Sequence, residues 1–306
     1  AENTITGLVP EIFEALDIVS RELTGMIPSA TLNASANSAQ VGQAIRVDVE
    51  PVGNVSNITP AMVVPDPTGQ TSGFTDIIIT KSRAAEFGFN GEDQLGLNTG
   101  AGYGSVRANK IAQAIRAVTN EVEADLCGLQ STFSRAVGTA GTTPFGTAND
   151  YTDASKALQV LKDNGSPLQD NQLVINTNAG VNMLGKQANV SDAGSDSILR
   201  QGVLLDVNGM PIRESAQVNT VAAVGTSANA VTTAGHAVGA TSIVLKAAGT
   251  GTILAGDVIT FAGDTNQYTV VTGAGAVSGA TIVIAAPGLR QALPVGDKAI
   301  SIVAAS

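Results

Sequence analysis

Residues 105–137 read SVRANKIAQAIRAVTNEVEADLCGLQSTFSRAV, and this segment decides the fold class. Its apolar residues recur at intervals of three and four, the spacing of one face of an α-helix. They are Ile111, Ile115, Val118, Val122, Leu126, Leu129 and Phe133. An unbroken helix over Ser105–Val137 would be about 50 Å long, which exceeds an ordinary globular helix. Glu121, Glu123 and Asp125 are expected on its solvent side. The alternative is two helices separated at Gly128.

Upstream of this helix the pattern changes to that of β-strands. Residues Val41–Val49 alternate between apolar and polar side chains, and a second strand region lies within Phe74–Phe89, centred on Ile77–Ile79. The connecting residues Glu50–Gly73 are too long and too rich in proline for a tight hairpin. The pattern predicts two strands with a long extended tip, and the alternative for the tip is an ordinary surface loop.

The N-terminal residues predict a short amphipathic helix over Pro10–Thr24. Its apolar stripe consists of Ile12, Leu16, Val19 and Leu23. Pro10 suits the first turn and Gly25 suits the end of such a helix. A lone amphipathic helix needs a surface to cover, either on its own domain or on a neighbouring subunit.

The central residues mix helices with strands, whereas the C-terminal residues are β-rich. Helices are predicted over Thr152–Asn164, Val181–Ala188 and Ser195–Gln201, and strands over Leu173–Asn176, Val203–Val207 and Ile212–Glu214. Beyond residue 240, short runs separated by glycine turns predict a small barrel or sandwich. These strand-like runs are Thr241–Ala247, Asp257–Ala262, Gln267–Thr272, Thr281–Ala286 and Lys298–Val303.

The composition limits the possible functions. The net charge is −10, which argues against a protein that grips nucleic acid through its phosphates. Only 14% of residues are charged, so a surface covered by partner subunits is favoured about equally with a secreted β-rich protein of low charge. The N-terminus lacks the basic start of a signal peptide, and no apolar run is long enough to span a bilayer.

The sequence contains no convincing catalytic, cofactor or metal site. His236 is the only histidine and Cys127 the only cysteine, so a structural zinc site lacks ligands. The glycine clusters at 100–104 and 273–279 lack the lysine of a phosphate-binding loop and are interpreted as turns. We therefore expect the chain not to be an enzyme. A hydrolase, the less favoured alternative, would have to use His236.

Several stretches, taken in order, resemble the major capsid proteins of tailed bacteriophages, in the class with a β-domain inserted into the coat fold. They span nearly the whole chain. They are LVPEIFEALDIVSREL at 8–23, ITKSR at 79–83, NGE at 90–92, NEVEADL at 120–126, TAGTTPF at 139–145, LVI at 173–175, LRQG at 199–202 and IRES at 212–215. GDVITFAG at 256–263, followed by YTVV at 268–271, is similar to the inserted domain.

The resemblance implies an α+β fold of the Hong Kong 97 type. Its parts would be an N-terminal arm with a helix at 1–35, an extended two-stranded loop at 36–90, a peripheral domain at 91–149 with spine helix 105–137, an axial domain at 150–217, an inserted small β-barrel at 218–295 and a return strand of the axial domain at 296–306. Relatives of this class continue beyond the insertion, so the chain is expected to be incomplete or to close its domains differently.

The resemblance also implies a function. The chain would assemble in the bacterial cytoplasm, as pentamers and hexamers, into the icosahedral shell of the virion. It would meet a scaffolding protein and a portal during assembly, and it would enclose double-stranded DNA without sequence-specific binding. No membrane partner is expected. Residues expected at contacts between subunits are Ile12, Phe13, Leu16, Val47, Val49, Ile58, Met62, Val63 and Val64. The alternative is a secreted or surface β-rich adhesion module, which would be a stable monomer.

Overall fold

The computed structural model describes residues 24–32, 40–49, 72–86, 88, 91, 103–167, 169–187, 202, 204, 206–219, 230–232 and 234–304. The helices are α1 Tyr103–Gly128, α2 Thr152–Asp163 and α3 Thr177–Lys186. The strands are β1 Ala44–Val49, β2 Gly73–Ile78, β3 Arg135–Ala136, β4 Leu173–Ile175, β5 Ile212–Glu214, β6 Ala230–Thr232, β7 Ser242–Val244, β8 Val258–Phe261, β9 Gln267–Thr272, β10 Thr281–Ile284 and β11 Lys298–Ala304.

Some predicted features lie outside these residues. They are the N-terminal helix before Thr24, with Ile12, Phe13 and Leu16; the loop tip at 50–71, with Ile58, Met62, Val63 and Val64; and the helix at 195–201.

The long helix α1 is shorter than the sequence predicts. It ends at Gly128 and is followed by a 3-10 turn at Leu129–Thr132 and then by strand β3. The predicted helix to Val137 is therefore wrong at its C-terminal end. The α-helix ends at Gly128, where the alternative put the break, but residues 129–137 contain no second α-helix. Phe133 belongs to the apolar repeat, but its side chain is 53% exposed and is not part of the core. At about 39 Å, α1 remains the longest described helix.

A small α/β layer follows α1. Strands β4 and β5 pair in parallel, with Leu173 opposite Ile212, and α2 and α3 pack on them through a common core. This core contains Phe145, Ala154, Leu158, Ile175, Ala179, Met183 and Met210. Helix α3 starts earlier than predicted because Asn176 caps it, accepting a hydrogen bond from the Asn178 amide at 2.9 Å. Of the strand predicted at 203–207, the described residues form only an isolated bridge between Val207 and Met210.

The C-terminal residues form an antiparallel β-domain. The strand order is β6-β11-β8-β9-β10-β7, and β3 pairs with β9 outside this order. The two ends of the order meet, because the buried Thr232 hydroxyl of β6 donates to the Val244 carbonyl of β7 at 2.8 Å. The sheet therefore curls into a barrel. Its interior is filled by Ile243, Leu245, Ile253, Ile259, Phe261, Tyr268, Val270, Val277, Ile282, Ile284, Leu289, Leu293 and Ile300.

The last described strand corrects the predicted division of the chain. Residues 296–306 were expected to return to the axial domain, but β11 lies in the β-domain between β6 and β8. Ile300 of this strand is fully enclosed in the barrel core. Strand β3, predicted as part of the spine helix, also joins the β-domain. The β-domain thus includes β3, which follows α1 along the chain, and β11, the last described strand.

Candidate assembly interface

Strands β1 and β2 form a two-stranded antiparallel ribbon with two different faces. Residues directly opposite each other on paired strands share a face, and neighbours along a strand alternate. The register places Ile45 opposite Ile77, and Val47 opposite Thr75. We call this side the uncharged face, and it consists of Ile45, Val47, Val49, Gly73, Thr75 and Ile77. The other side, the charged face, consists of Ala44, Arg46, Asp48, Phe74, Asp76 and Ile78.

The charged face stabilises itself through contacts within the ribbon. The Arg46 guanidinium lies 3.6 Å from the centroid of the Phe74 ring, and its Nε lies 3.3 Å from Asp76 Oδ1. Cation–π contacts and exposed ion pairs of this kind each contribute about 1 kcal/mol or less. Arg46 on this side is therefore paired with Asp76 and covers the Phe74 ring.

The uncharged face has no such pairing, and its apolar side chains other than the half-buried Ile45 are open to solvent. Val47 is 37% exposed, and Val49 and Ile77 are each 49% exposed. A two-stranded ribbon is marginally stable in water unless one face is covered. The sequence predicted Val47 and Val49 as contacts between subunits, and the structure places both on this one face. Their contact with another copy stays a prediction.

The base of the ribbon is tied to α1 by ion pairs. The Lys81 ammonium lies 2.6 Å from Asp125 Oδ2, and Arg83 Nε lies 2.8 Å from Glu121 Oε1. All four side chains are at least one-third exposed, so each pair contributes about 1 kcal/mol or less. These ion pairs thus attach the base of the ribbon to α1, while both faces of the ribbon stay exposed.

A polar network joins the β-domain to the end of α2. Arg135 of β3 is almost buried and donates from Nη2 to Asp163 Oδ2 at 2.7 Å. Its Nη1 donates to Asn266 Oδ1 at 2.9 Å, and the Asn266 amides donate to Asp264. The hydrogen bond from Arg135 lowers the pKa of Asp163. Arg290 closes the network, because its Nη1 donates to the Asp163 carbonyl at 3.1 Å. The β-domain is therefore fixed to the helical layer by more than chain continuity.

Tyr268 is the buried centre of this network, and it should make the β-domain sensitive to alkali. Its hydroxyl donates to Asp264 Oδ2 at 2.7 Å and accepts from the Arg290 amide at 3.1 Å. Burial, aided by the Asp264 carboxylate, raises the pKa of Tyr268 to about 12 from its ordinary value of 10.0. Because the folded-state pKa is the higher one, this contribution to stability is complete below pH 10 and is lost as the pH rises toward 12.

Replacing Tyr268 by phenylalanine is expected to lower the free energy of unfolding at pH 7 by about 1–3 kcal/mol, because Asp264 loses its donor. The variant should also lose less stability than the wild type above pH 10. Urea unfolding at pH 7 and at pH 11 checks both effects. An equal alkaline loss in both proteins would contradict the assignment.

His236, the residue that a hydrolase would have to use, lies at the closure of the barrel. Its Nε2 is 3.2 Å from Thr232 Oγ1, and its backbone pairs with Leu293. Burial lowers the pKa of His236. Among the described residues, no group of three or more acidic, histidine or cysteine side chains could hold a metal ion. None of the described helices is both long and apolar enough to cross a bilayer.

A comparison with solved structures finds a fold shared along nearly the whole chain. A chain from Mycobacterium phage Che8 matches with a TM-score of 0.50, covering 92% of this chain and 88% of that one. The two sequences are 13% identical, so the likeness concerns the fold alone. No protein-family model matches the sequence, and no curated protein matches it either. The mixed α/β fold thus has a structural neighbour from a phage.

Proposed function

We propose that this chain is the major capsid protein of a tailed double-stranded DNA phage, and that copies of it build the icosahedral shell. The observation that carries the proposal is the uncharged, exposed face of a ribbon anchored on α1. The shared fold with a phage chain over 92% of the length supports it. The sequence resemblance to capsid proteins with an inserted β-domain supports the more specific proposal that the chain is a major capsid protein.

The occupant of the uncharged face is, in this proposal, a second copy of the same chain. Each copy has a net charge of −10, so two copies repel each other at a distance. Contacts between copies therefore favour surfaces without acidic groups, and the uncharged face is such a surface. An extended ribbon also reaches past its own domain, and apolar contacts tolerate the small angular differences between rings of five and rings of six.

The remaining partners follow from the shell role. The acidic chain would enclose DNA without gripping its phosphates. A scaffolding protein and a portal would meet the subunit during assembly in the bacterial cytoplasm, and the product would be the virion shell. In this role the chain is not an enzyme and needs no cofactor. Shell stability would come from many modest contacts acting in parallel.

Electron microscopy of the purified full chain, combined with sedimentation, tests the proposal. Rings of five or six subunits, or closed shells, are the expected result. Monodisperse monomers at every concentration would overturn it. They would favour the alternative of a secreted or surface adhesion module, for which an exposed apolar ribbon would have to find a different partner.

A further inference from the structure

Glu123 is a buried acid on α1 that the proposed assembly contacts do not use. The residue is 1% exposed, and its carboxylate accepts hydrogen bonds from three consecutive backbone amides. Oε1 accepts from Gly25 and Met26 at 2.8 Å each, and Oε2 accepts from Ile27 at 2.9 Å. Successive amides at the start of a helical turn lack partners within the turn, and an anion placed there satisfies them.

The residues that Glu123 holds are also clamped from the opposite side. Gly25 lies so close to the β4–β5 layer that an added Cβ would be 2.7 Å from Val174 Cγ1 and 3.0 Å from the Glu214 carbonyl oxygen. Ser29 continues this contact, since its hydroxyl oxygen lies 2.9 Å from Gln172 Oε1. The start of the described chain is therefore held between α1 and the α/β layer.

An ionised Glu123 carboxylate accepts these hydrogen bonds more strongly than a protonated one. Burial alone would raise its pKa, but hydrogen bonds from Met26, Ser215, Ile27 and Gly25 outweigh burial and lower it. A lowered folded-state pKa means that the stabilisation is complete above the ordinary value of 4.5 and is lost as the pH falls through the folded-state pKa.

The titratable and charged groups near Glu123 are engaged in contacts of their own. Cys127, one turn along α1, has its pKa raised by burial, with Glu123 adding to the rise and Ser215 opposing it. On β5, Arg213 donates to Gln172 at 2.9 Å, while Glu214 packs against Gly180. The other acids of this helical turn, Glu121 and Asp125, pair with Arg83 and Lys81 as described above.

We infer that Glu123 is an acid-releasable anchor that fixes Gly25, Met26 and Ile27, at the start of the described chain, between α1 and the α/β layer. The anchor itself follows from the contacts of one chain. Its use in a shell, which is to set the direction in which the N-terminal arm reaches a neighbour, rests on the proposed function. Acid would then release residues 25–27 before it loosens the β-domain.

Amide hydrogen exchange on the full unassembled chain tests the anchor. In Glu123→Gln at pH 7, protection of the amides of residues 25–27 is expected to fall by about 10- to 100-fold, because hydrogen bonds to a charged group are lost. In the wild type, the same amides should keep their protection above pH 4.5 and lose it as the pH falls further below that value, after correction for the intrinsic exchange rate. The Val270 amide, bonded to the Asp257 carbonyl at 2.9 Å, serves as the internal reference.

Glu121→Gln is the matched control, because it removes an exposed carboxylate two positions away on the same helix. It should leave protection at residues 25–27 unchanged. Unaltered protection in a folded Glu123→Gln variant would overturn the anchor. If that variant does not fold, Ser215→Ala decides, since it keeps the carboxylate but removes one donor. Partial loss of protection at residues 25–27 is then expected, and unchanged protection would contradict the anchor. Each outcome judges the anchor without bearing on shell assembly.

Discussion

Replacing Ile77 by aspartate is expected to abolish shell formation, while the same replacement at the next residue, Ile78, leaves it intact. The two side chains are equally apolar and lie on the same strand, at 49% and 58% exposure. They differ in the face they occupy, because Ile77 lies on the uncharged face and Ile78 on the charged face. A new carboxylate on the docking face would be desolvated in every contact between copies.

The expected size of this effect is large because it recurs at each contact. Losing the partial burial of an isoleucine and burying a carboxylate would together cost roughly 3 kcal/mol per contact. A loss of that size raises the concentration needed for assembly by about 100-fold or more. Light scattering during assembly and electron microscopy of the products measure it. Both variants should keep wild-type melting temperatures, and an equal assembly defect in the two would refute the choice of face.

The largest expected loss of stability comes from Gly273→Ala. Gly273 follows β9 and packs against the chain at Ile253 and Leu254. An added Cβ would lie 2.2 Å from the Ile253 carbonyl oxygen and 2.7 Å from the Leu254 carbonyl carbon. Both are backbone atoms, so neither can turn aside as a flexible side chain could. The β-domain should lose about 3 kcal/mol, the upper end of the cost of overfilling a packed site.

Gly275→Ala provides the control two residues further on. Nothing lies within 4 Å of a Cβ built there, so the change should shift stability by about 0.5 kcal/mol or less. Urea unfolding of the two variants and the wild type measures the difference. Equal stability of the two variants would mean that the chain at Gly273 is not held against Ile253 as described.

The features that could be predicted from sequence are those that local patterns determine. The strand-like run Gln267–Thr272, which lies between two glycine turns, predicted strand β9 with its observed bounds. The glycine and proline after Asn164 placed the end of α2 within one residue. Alternation also put Val47 and Val49 on one face. Which residues of β2 share that face depends on the register between strands, and a gap of more than 20 residues between them leaves the register undetermined.

The features that the sequence missed depend on partners distant along the chain. The apolar repeat continues past Gly128 and predicts a helix there, but Arg135 pairs with β9 and forms a strand instead. Glu123 was expected on the solvent side of α1, yet it is buried because backbone amides of Gly25, Met26 and Ile27 satisfy it. Backbone donors carry no signature in the sequence, so no residue pattern could have indicated this site. Tyr268 and Asp163 were missed for a related reason, since their partners lie on separate elements.

The most direct test of the central claim is a cryo-electron microscopy map of particles formed by the purified chain. The account predicts that the uncharged face, with Val47, Val49 and Ile77, is buried against a second copy in rings of five and six. A ribbon whose uncharged face stays exposed in assembled particles, or packs on its own subunit, would contradict it.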